Sequence, residues 1–552
     1  MNKRSSVLLL FISIFAIYFL AIDVDTMDID ASQYASMSRE MKESGSYLQV
    51  YEQGRDYLDK PPFLFWINSV SMSILGENNI AFKLPSILFA ILAVFATFKL
   101  ASLFYKREIA LLSALILSSS QALFLITNDI KTDTILMGWV SVALWQLATW
   151  TTSGRIKHLY WGAAAIAFGM MTKGPIALIA PALAMTAHFI TRREFKKFIE
   201  PHYITAILLI GVLLIPMSIG LYQQFDQHPE KWVNGGQNVS GLRFFYWTQS
   251  FGRITGESVW HDPVPFTFLL ENLMWAWLPW SLFFLGSIVY FFIDIIKKRF
   301  KLKTDEEFIS VGGFILTYCA LGVSRFQLPH YIYVVLPLIA IMTARFVYTL
   351  FWTNELVKVA RIFSIVQLIV LIILTAIPFL ILTYTFPTQK FWPWIAALMP
   401  ILLIGLAMNQ PSWKPSIIAT SLATVLGVNI FLSSWFYPNL LQYQASNEAG
   451  RFLHDEGFDK TKLALFNFKG SAFGIHFYSK SIIPHIKNID SVLTGMIIVT
   501  DKDGRAALDS NNRTYEVRKE GLDFHISMLT PEFLNRKTRA QVLDRYYILE
   551  MK

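Results

Sequence analysis

The sequence predicts an α-helical polytopic membrane protein of about thirteen spanning helices, followed by a small C-terminal α/β domain. Three observations predict it. Hydrophobic residues make up 54% of the 552, against 16% charged, and the mean hydropathy is +0.44. The apolar residues fall in a series of runs near the length a bilayer demands. The lysines and arginines gather in short connections on one side of those runs. Soluble domains of this length do not carry so much apolar surface. The net charge of +9 is a topology signal rather than a nucleic-acid footprint, because the basic residues sit between apolar runs. Cys319, the single cysteine, lies inside an apolar run, so there is no disulfide framework and no cysteine metal site.

A helix needs about 20 apolar residues to cross the hydrocarbon core. By that rule the spans are 6–22, 79–104, 109–127, 133–152, 159–173, 175–191, 203–222, 264–295, 308–324, 330–349, 360–385, 391–408 and 415–436. The first reads as an uncleaved helix, because Asp23-Val24-Asp25 follows it in place of a small-residue cleavage site. The pair 159–173 and 175–191 reads as two helices and a turn, since Lys173 and Pro175 stand at the junction.

With Lys3 and Arg4 cytoplasmic, the loops on that side hold Lys106-Arg107, Arg155 to Lys157, Arg192-Arg193 with Lys196-Lys197, Lys297 to Lys303, and Lys358 with Arg361. The opposite loops are 23–78, 128–131, 172–174, 223–263, 325–329 and 386–390, with everything after Trp435. The basic clusters fall almost wholly on one side, as the positive-inside rule requires. An odd number of spans places the C-terminus outside. The expected division is a membrane domain, 1–436, and a periplasmic α/β domain, 437–552.

In the first outer loop, Ser32 to Lys42 and Phe63 to Leu75 read as amphipathic helices along the interface, with Tyr34, Met37 and Met41 on one face. After residue 436, short or alternating apolar runs occur at Leu463–Phe468, Phe473–Tyr478 and Met496–Thr500. Helix-like stretches occur at Ala445–Leu453 and Pro531–Leu543, which together suggest a small α/β unit. No internal repeat supports an inverted-repeat transporter.

The chemistry-bearing residues collect in the outer loops. Asp23, Asp25, Asp28 and Asp30 follow the first span. The first two read as a solvated loop mouth. Asp30 opens an amphipathic helix, where a carboxylate is either an N-cap or a general base facing a cavity. Asp59-Lys60-Pro61-Pro62 precedes the aromatic stretch Phe63 to Trp66; its prolines fix the start of a helix, and a lysine at headgroup depth suits a lipid phosphate. Asn128-Asp129-Ile130-Lys131-Thr132-Asp133 is a charged knot in a short turn, with Asp133 favouring a helix start. Lys173 in Thr172-Lys173-Gly174-Pro175 is either a structural anchor or a phosphate contact. The second long loop adds Gly252-Arg253, whose guanidinium can hold phosphate bidentately, then His261-Asp262-Pro263 and Leu278-Pro279-Trp280. Ser324 to Tyr331 is a further polar knot. Every charged knot in a short loop falls on one side of the membrane, which a site built there explains economically.

Taken in order, these motifs resemble the glycosyltransferase-C superfamily, and within it the lipid A aminoarabinose transferases and related protein O-mannosyltransferase-like enzymes. The resemblance covers about residues 6–436 and rests on Lys-Pro-Pro, Thr-Lys-Gly-Pro and Leu-Pro-His-Tyr in that order. It implies a thirteen-helix core, two juxtamembrane helices and a C-terminal periplasmic α/β domain. It implies Asp30 as the catalytic carboxylate and Lys60 and Arg253 as holders of the carrier phosphate. Asp59, Asp133, Lys173, His261 and Tyr331 then line the cavity. Ala31 stands where the family often has a second carboxylate, and Asp59 replaces a more usual Glu. No cofactor is required; a divalent cation, if used, would fall to Asp59 and His261.

The expected activity is inverting transfer of a sugar from a polyprenyl-phosphate donor, undecaprenyl phosphate in a bacterium, to an envelope acceptor at the periplasmic face. The leading acceptor is lipid A and the leading sugar 4-amino-4-deoxy-L-arabinose. Hexosyl transfer to protein Ser/Thr or a surface glycan is the alternative. The expected partners are that donor, that acceptor and the inner-membrane bilayer, with no nucleic acid. A lipid-linked sugar transporter would need charges near the bilayer midplane and repeat symmetry, and the sequence has neither.

Overall fold

A backbone in lipid must satisfy its own hydrogen bonds, so the apolar runs become helices. The computed structural model describes residues 3–257, 264–299, 306–353, 355–408 and 416–552. Helix α1 (Lys3–Leu20) leads into the first long connection, which carries α2 (Asp30–Ser44), the short strands β1 (Tyr51–Glu52) and β2 (Arg55–Asp56), and α3 (Phe63–Leu75). The bundle continues with α4 (Asn79–Ala101), α5 (Arg107–Ser118), α6 (Gln121–Ile126), α7 (Thr132–Ser153), α8 (Ile156–Lys173), α9 (Ile176–Arg192) and α10 (His202–Leu221). The second long connection holds the short helices α11 (Gly241–Arg243) and α12 (Gly252–Thr255). Then α13 (Phe268–Ala276), α14 (Ser281–Lys297), α15 (Ile309–Gly322), α16 (Leu336–Trp352), α17 (Val357–Leu380), α18 (Trp392–Met408) and α19 (Ser416–Phe431) complete the bundle.

Each predicted span coincides with one of these helices or with a broken pair. Among the described residues, five helical runs are long and apolar enough to cross a membrane: Asn79–Ala101, His202–Asp226, Pro329–Trp352, Val357–Thr385 and Ile417–Tyr443. The turn expected between α8 and α9 is present, with Gly174 at φ 91°, a region glycine enters without a Cβ penalty.

Two spans expected to be continuous are broken, and the breaks answer each other. The run 109–127 divides at Ser119-Ser120 into α5 and α6, and the run 264–295 divides at Trp277 to Trp280 into α13 and α14. The backbone N–H of Gln121 donates to Leu278 O at 2.9 Å, Trp280 Nε1 donates to Ser119 Oγ at 3.0 Å, and the Gln367 amide donates to Pro279 O at 2.8 Å. Groups freed by serine and proline thus find partners inside protein, as lipid-embedded backbone must. Trp277 and Trp280 are fully buried at the junction.

The first connection is clamped rather than loose. Tyr34, Met37 and Met41 are buried on one face of α2, as the periodicity requires. The buried Glu40 carboxylate accepts the N–H groups of Gln53 and Gly54, both at 2.8 Å, and so holds the β1–β2 turn. Gln224 pairs with both the N–H and C=O of Val50, and its amide also donates to Asp56. This loop runs directly into Asp59-Lys60, so its rigidity passes to the site.

Past the bundle lie α20 (Tyr437–Leu440) and α21 (Ala445–Asp455), then β3 (Leu463–Phe466), α22 (Phe473–Tyr478), β4 (His485–Ile486), β5 (Ile497–Asp501), α23 (Lys502–Ser510), β6 (Tyr515–Asp523), α24 (Pro531–Leu534) and β7 (Asp544–Met551). The sheet order is β4-β3-β5-β7-β6, with β3 parallel to β4 and β5, and β7 antiparallel to β5 and β6. Successive side chains of β3 alternate between faces. Leu463 and Leu465 pack with α21, while Ala464 and Phe466 pack with Leu508 of α23. The apolar run Phe473–Tyr478 is a helix, because its buried face covers α21 and α2 rather than adding a strand. The stretch Pro531–Leu543 is only a short helix and a turn before β7.

This unit is fastened to the first connection. Gln444 and Asn447 amides donate to Thr26 O at 3.1 and 2.8 Å, and Asp25 pairs with Arg451 rather than standing in solvent. Asp28 accepts from Ser446 at 3.0 Å and Ser471 at 3.3 Å, and burial pushes its carboxyl up to about 7.

Candidate active site

The site forms where several helix ends meet beside α2. Pro62 caps α3, so the residues just before it, Asp59 and Lys60, are held at the helix start. Lys60 Nζ lies 2.5 Å from Asp59 Oδ2, and the Gln249 amide donates to the Asp59 carbonyl. Burial alone would raise the Asp59 carboxyl, but the Lys60 ammonium beside it holds it below the ordinary carboxylate range. Burial likewise opposes the Lys60 charge, and Asp59 with Tyr331 outweighs it, so Lys60 stays a cation.

Asp133 sits in the first turn of α7, fully buried, with its two oxygens 2.5 and 2.6 Å from Lys173 Nζ at the end of α8. His330 Nε2 is 3.6 Å from the same carboxylate. The Lys173 ammonium lies over the Tyr331 ring, 4.1 Å from its centroid. From α12, Arg253 Nη1 donates to the Tyr331 hydroxyl at 2.7 Å, and the guanidinium faces the Phe326 and Tyr331 rings. The buried Arg253 Nε has no hydrogen-bond partner among the described residues.

These groups enclose a cavity of about 120 Å³. Its polar wall includes Lys60, Asp133, Lys173, Gln249, Arg253 and Tyr331, and its apolar wall includes Leu136, Ile176, Ile179 and Leu321. Three cations and two carboxylates, counting Asp59 behind Lys60, leave one net positive charge. Asp59 and Asp133 are each tied to a lysine, so the arginine fork is the cation left without a carboxylate partner among the described residues. The arrangement suits a phosphate group whose ester chain leaves along the apolar wall.

Asp30 is close by but not in that wall. It is the first residue of α2, with Ile29 at the cap position, and its carboxylate does not cap the helix. Instead Lys131 Nζ lies 2.9 Å from Asp30 Oδ2 and 3.3 Å from Asp129 Oδ2. On the same helix, burial raises the buried Tyr34 hydroxyl well above its usual range, and Asp30, Tyr57, Asp59 and Asp133 add to the effect. Asp133 likewise spends its carboxylate on Lys173 rather than on the α7 cap.

The structure therefore brings Lys60, Asp59, Asp133, Lys173, Arg253 and Tyr331 together, whereas Asp30 is outside the cavity wall and pairs with Lys131. His261 lies outside the described residues. Among the described residues no group of three or more His, Cys, Asp or Glu is arranged to hold a metal, and the Asp59 oxygens are engaged by Lys60 and Gln249. Sequence reasoning missed Gln249 and the link from Lys131 to Asp30. Lys131 stood out only as part of a charged knot, since its partner is 101 residues away.

A family model described as dolichyl-phosphate-mannose-protein mannosyltransferase matches residues 59–219. The crystal structure of ArnT from Cupriavidus metallidurans bound to undecaprenyl phosphate superposes with a TM-score of 0.76 at 16% identity, covering 99% of this chain and 98% of that one. The chain has the glycosyltransferase-C fold. An undecaprenyl phosphate-alpha-4-amino-4-deoxy-L-arabinose arabinosyl transferase 2 of Proteus mirabilis is 25% identical over 324 residues, 57% of this chain and 54% of that relative. The corresponding arabinosyl transferase of Erwinia tasmaniensis is 27% identical over 288 residues, 50% of this chain and 49% of the relative. The chain thus spans about half the length of the curated relatives it matches, and it is a multi-pass membrane protein.

Proposed function

We propose that the chain is an inverting glycosyltransferase that moves 4-amino-4-deoxy-L-arabinose from undecaprenyl phosphate to lipid A at the periplasmic face of the bacterial inner membrane. In this reading the N-terminus is cytoplasmic and residues 437–552 form a periplasmic domain. One observation supports it most: Lys60, Lys173 and Arg253 converge on a single cavity that is lined on another side by Leu136, Ile176, Ile179 and Leu321. The names of the arabinosyl transferase relatives and of the undecaprenyl phosphate complex support the choice of donor.

Breaking the bond between sugar and carrier leaves a second negative charge on the departing phosphate. Lys60 and Arg253 meet that charge where it develops, Arg253 with an Nε donor still unused. Lys173 and Tyr331 shape the pocket around it, with Asp59 and Asp133 fixing the lysines. Asp30 acts on the acceptor. It takes the proton from an acceptor hydroxyl; where the acceptor is a lipid A phosphate, already ionised, it orients the nucleophile and steadies the oxocarbenium-like sugar. Attack from the face opposite the phosphate inverts the anomeric carbon.

Asp30→Asn and Lys60→Ala are expected to lower transfer about 10²-fold or more while membrane insertion persists. Full activity in either variant sinks the assignment. Mass spectrometry of lipid A from cells with and without the protein tests the acceptor. The mannosyltransferase family match over 59–219 favours a second reading, transfer to protein Ser/Thr. An unchanged lipid A spectrum with a lost protein glycan would select it.

A further inference from the structure

Asp30 opens α2 with a side chain about one-third exposed, and a carboxylate on a helix start is free to rotate unless something holds it. The structure supplies a holder from a different element. Lys131 is the cap-position residue of α7, in extended backbone (φ −126°, ψ 154°) at the end of the turn after α6. Its ammonium is anchored from behind by Asp129, 3.3 Å away on the same turn, and reaches forward to Asp30 Oδ2 at 2.9 Å. Asp30 Oδ1 accepts no hydrogen bond among the described residues.

We propose that Lys131 is the positioning residue for the Asp30 carboxylate, fixing Oδ2 so that Oδ1 alone is presented to the acceptor. This rests on the role assigned to Asp30 above. The charges around the pair are consistent with a permanent clamp. Burial alone would lower the Lys131 ammonium, but Asp129 and Asp30 hold it above the ordinary lysine range. Asp129 is raised by its own burial, and Lys131 and the buried Lys83 of α4 oppose that rise while Asp30 adds to it. Lys131 does not line the cavity wall, whose cations are Lys60, Lys173 and Arg253. It therefore acts through Asp30 and not on the phosphate.

A positioning group differs from a donor-binding group in which kinetic constant it moves. The full-length protein in detergent, with undecaprenyl phosphate-linked aminoarabinose as donor and purified lipid A as acceptor, separates them. Lys131→Met is expected to lower kcat about 10²-fold with donor KM unchanged. Lys131→Arg, which keeps the cation, is expected to recover kcat to within about tenfold of wild type. An unaltered kcat in Lys131→Met beside an inactive Asp30→Asn overturns the inference and leaves the function intact. A raised donor KM at constant kcat makes Lys131 a donor contact and overturns it as well. Full activity in Asp30→Asn overturns the function itself. If Lys131→Met does not accumulate, Asp129→Asn releases the clamp from behind. A kcat drop of about tenfold supports the inference there, and an unchanged kcat overturns it.

Discussion

At the scale of single residues, the site works by pairing most of its charges and leaving one uncommitted. Lys60 is matched by Asp59 and Lys173 by Asp133, each at 2.5 Å, so these lysines are fixed in place before a ligand arrives. Arg253 instead rests on a tyrosine hydroxyl and two aromatic rings, which orient the fork without neutralising it. A lysine there would keep the charge and lose the second parallel hydrogen bond. Arg253→Lys is therefore expected to raise donor KM about tenfold or more while leaving a measurable kcat, read from donor titrations at saturating acceptor. If donor KM stays at the wild-type value, the phosphate is held elsewhere.

At the scale of elements, loop geometry places the cations. Helix α10 approaches the first connection so closely that a Cβ on Gly220 would stand 2.0 Å from Leu48 O. Backbone cannot swing aside as a side-chain tip can, so Gly220→Val must displace the segment leading to Asp59-Lys60. The expected cost is about 1–3 kcal/mol of stability, with a fall in transfer activity. Gly211, on the same helix, has open space around its missing Cβ. Gly211→Ala is the control and should be neutral or slightly stabilising. Thermal unfolding in detergent checks both. Equal unfolding temperatures for the two variants would mean that the connection is not gripped by α10.

At the scale of the whole molecule, the C-terminal sheet unit and the bundle share the segment just ahead of Asp30. Thr26 and Asp28 bond to Gln444, Ser446, Asn447 and Ser471, so the start of α2 is fixed from outside the bundle. Burial raises the Asp28 carboxyl from 3.8 to about 7 in the fold. Between those values the folded chain binds more protons than the unfolded one, so stability falls as pH rises from about 4 to about 7 and levels off above. Asp28→Asn should flatten that slope, seen as a smaller change in unfolding temperature across the same pH range. A slope identical to that of the natural chain would show that another group carries the pH dependence.

The sequence by itself determined the membrane class, the order of the apolar runs, the limits of α3, and the gathering of Asp59-Lys60, Asp133, Lys173 and Arg253 in the outer connections. These follow from hydropathy, periodicity and local motif, which act over a few turns of chain. Only the tertiary structure decided where spans break and which charges pair. Trp280 donates to Ser119 and Gln121 N–H to Leu278 O across helices far apart in sequence, and Lys131 meets Asp30 at a separation of 101 residues. It also decided that Phe473–Tyr478 is a helix, because a six-residue apolar run has no periodicity long enough to choose, and packing against α2 and α21 chooses for it.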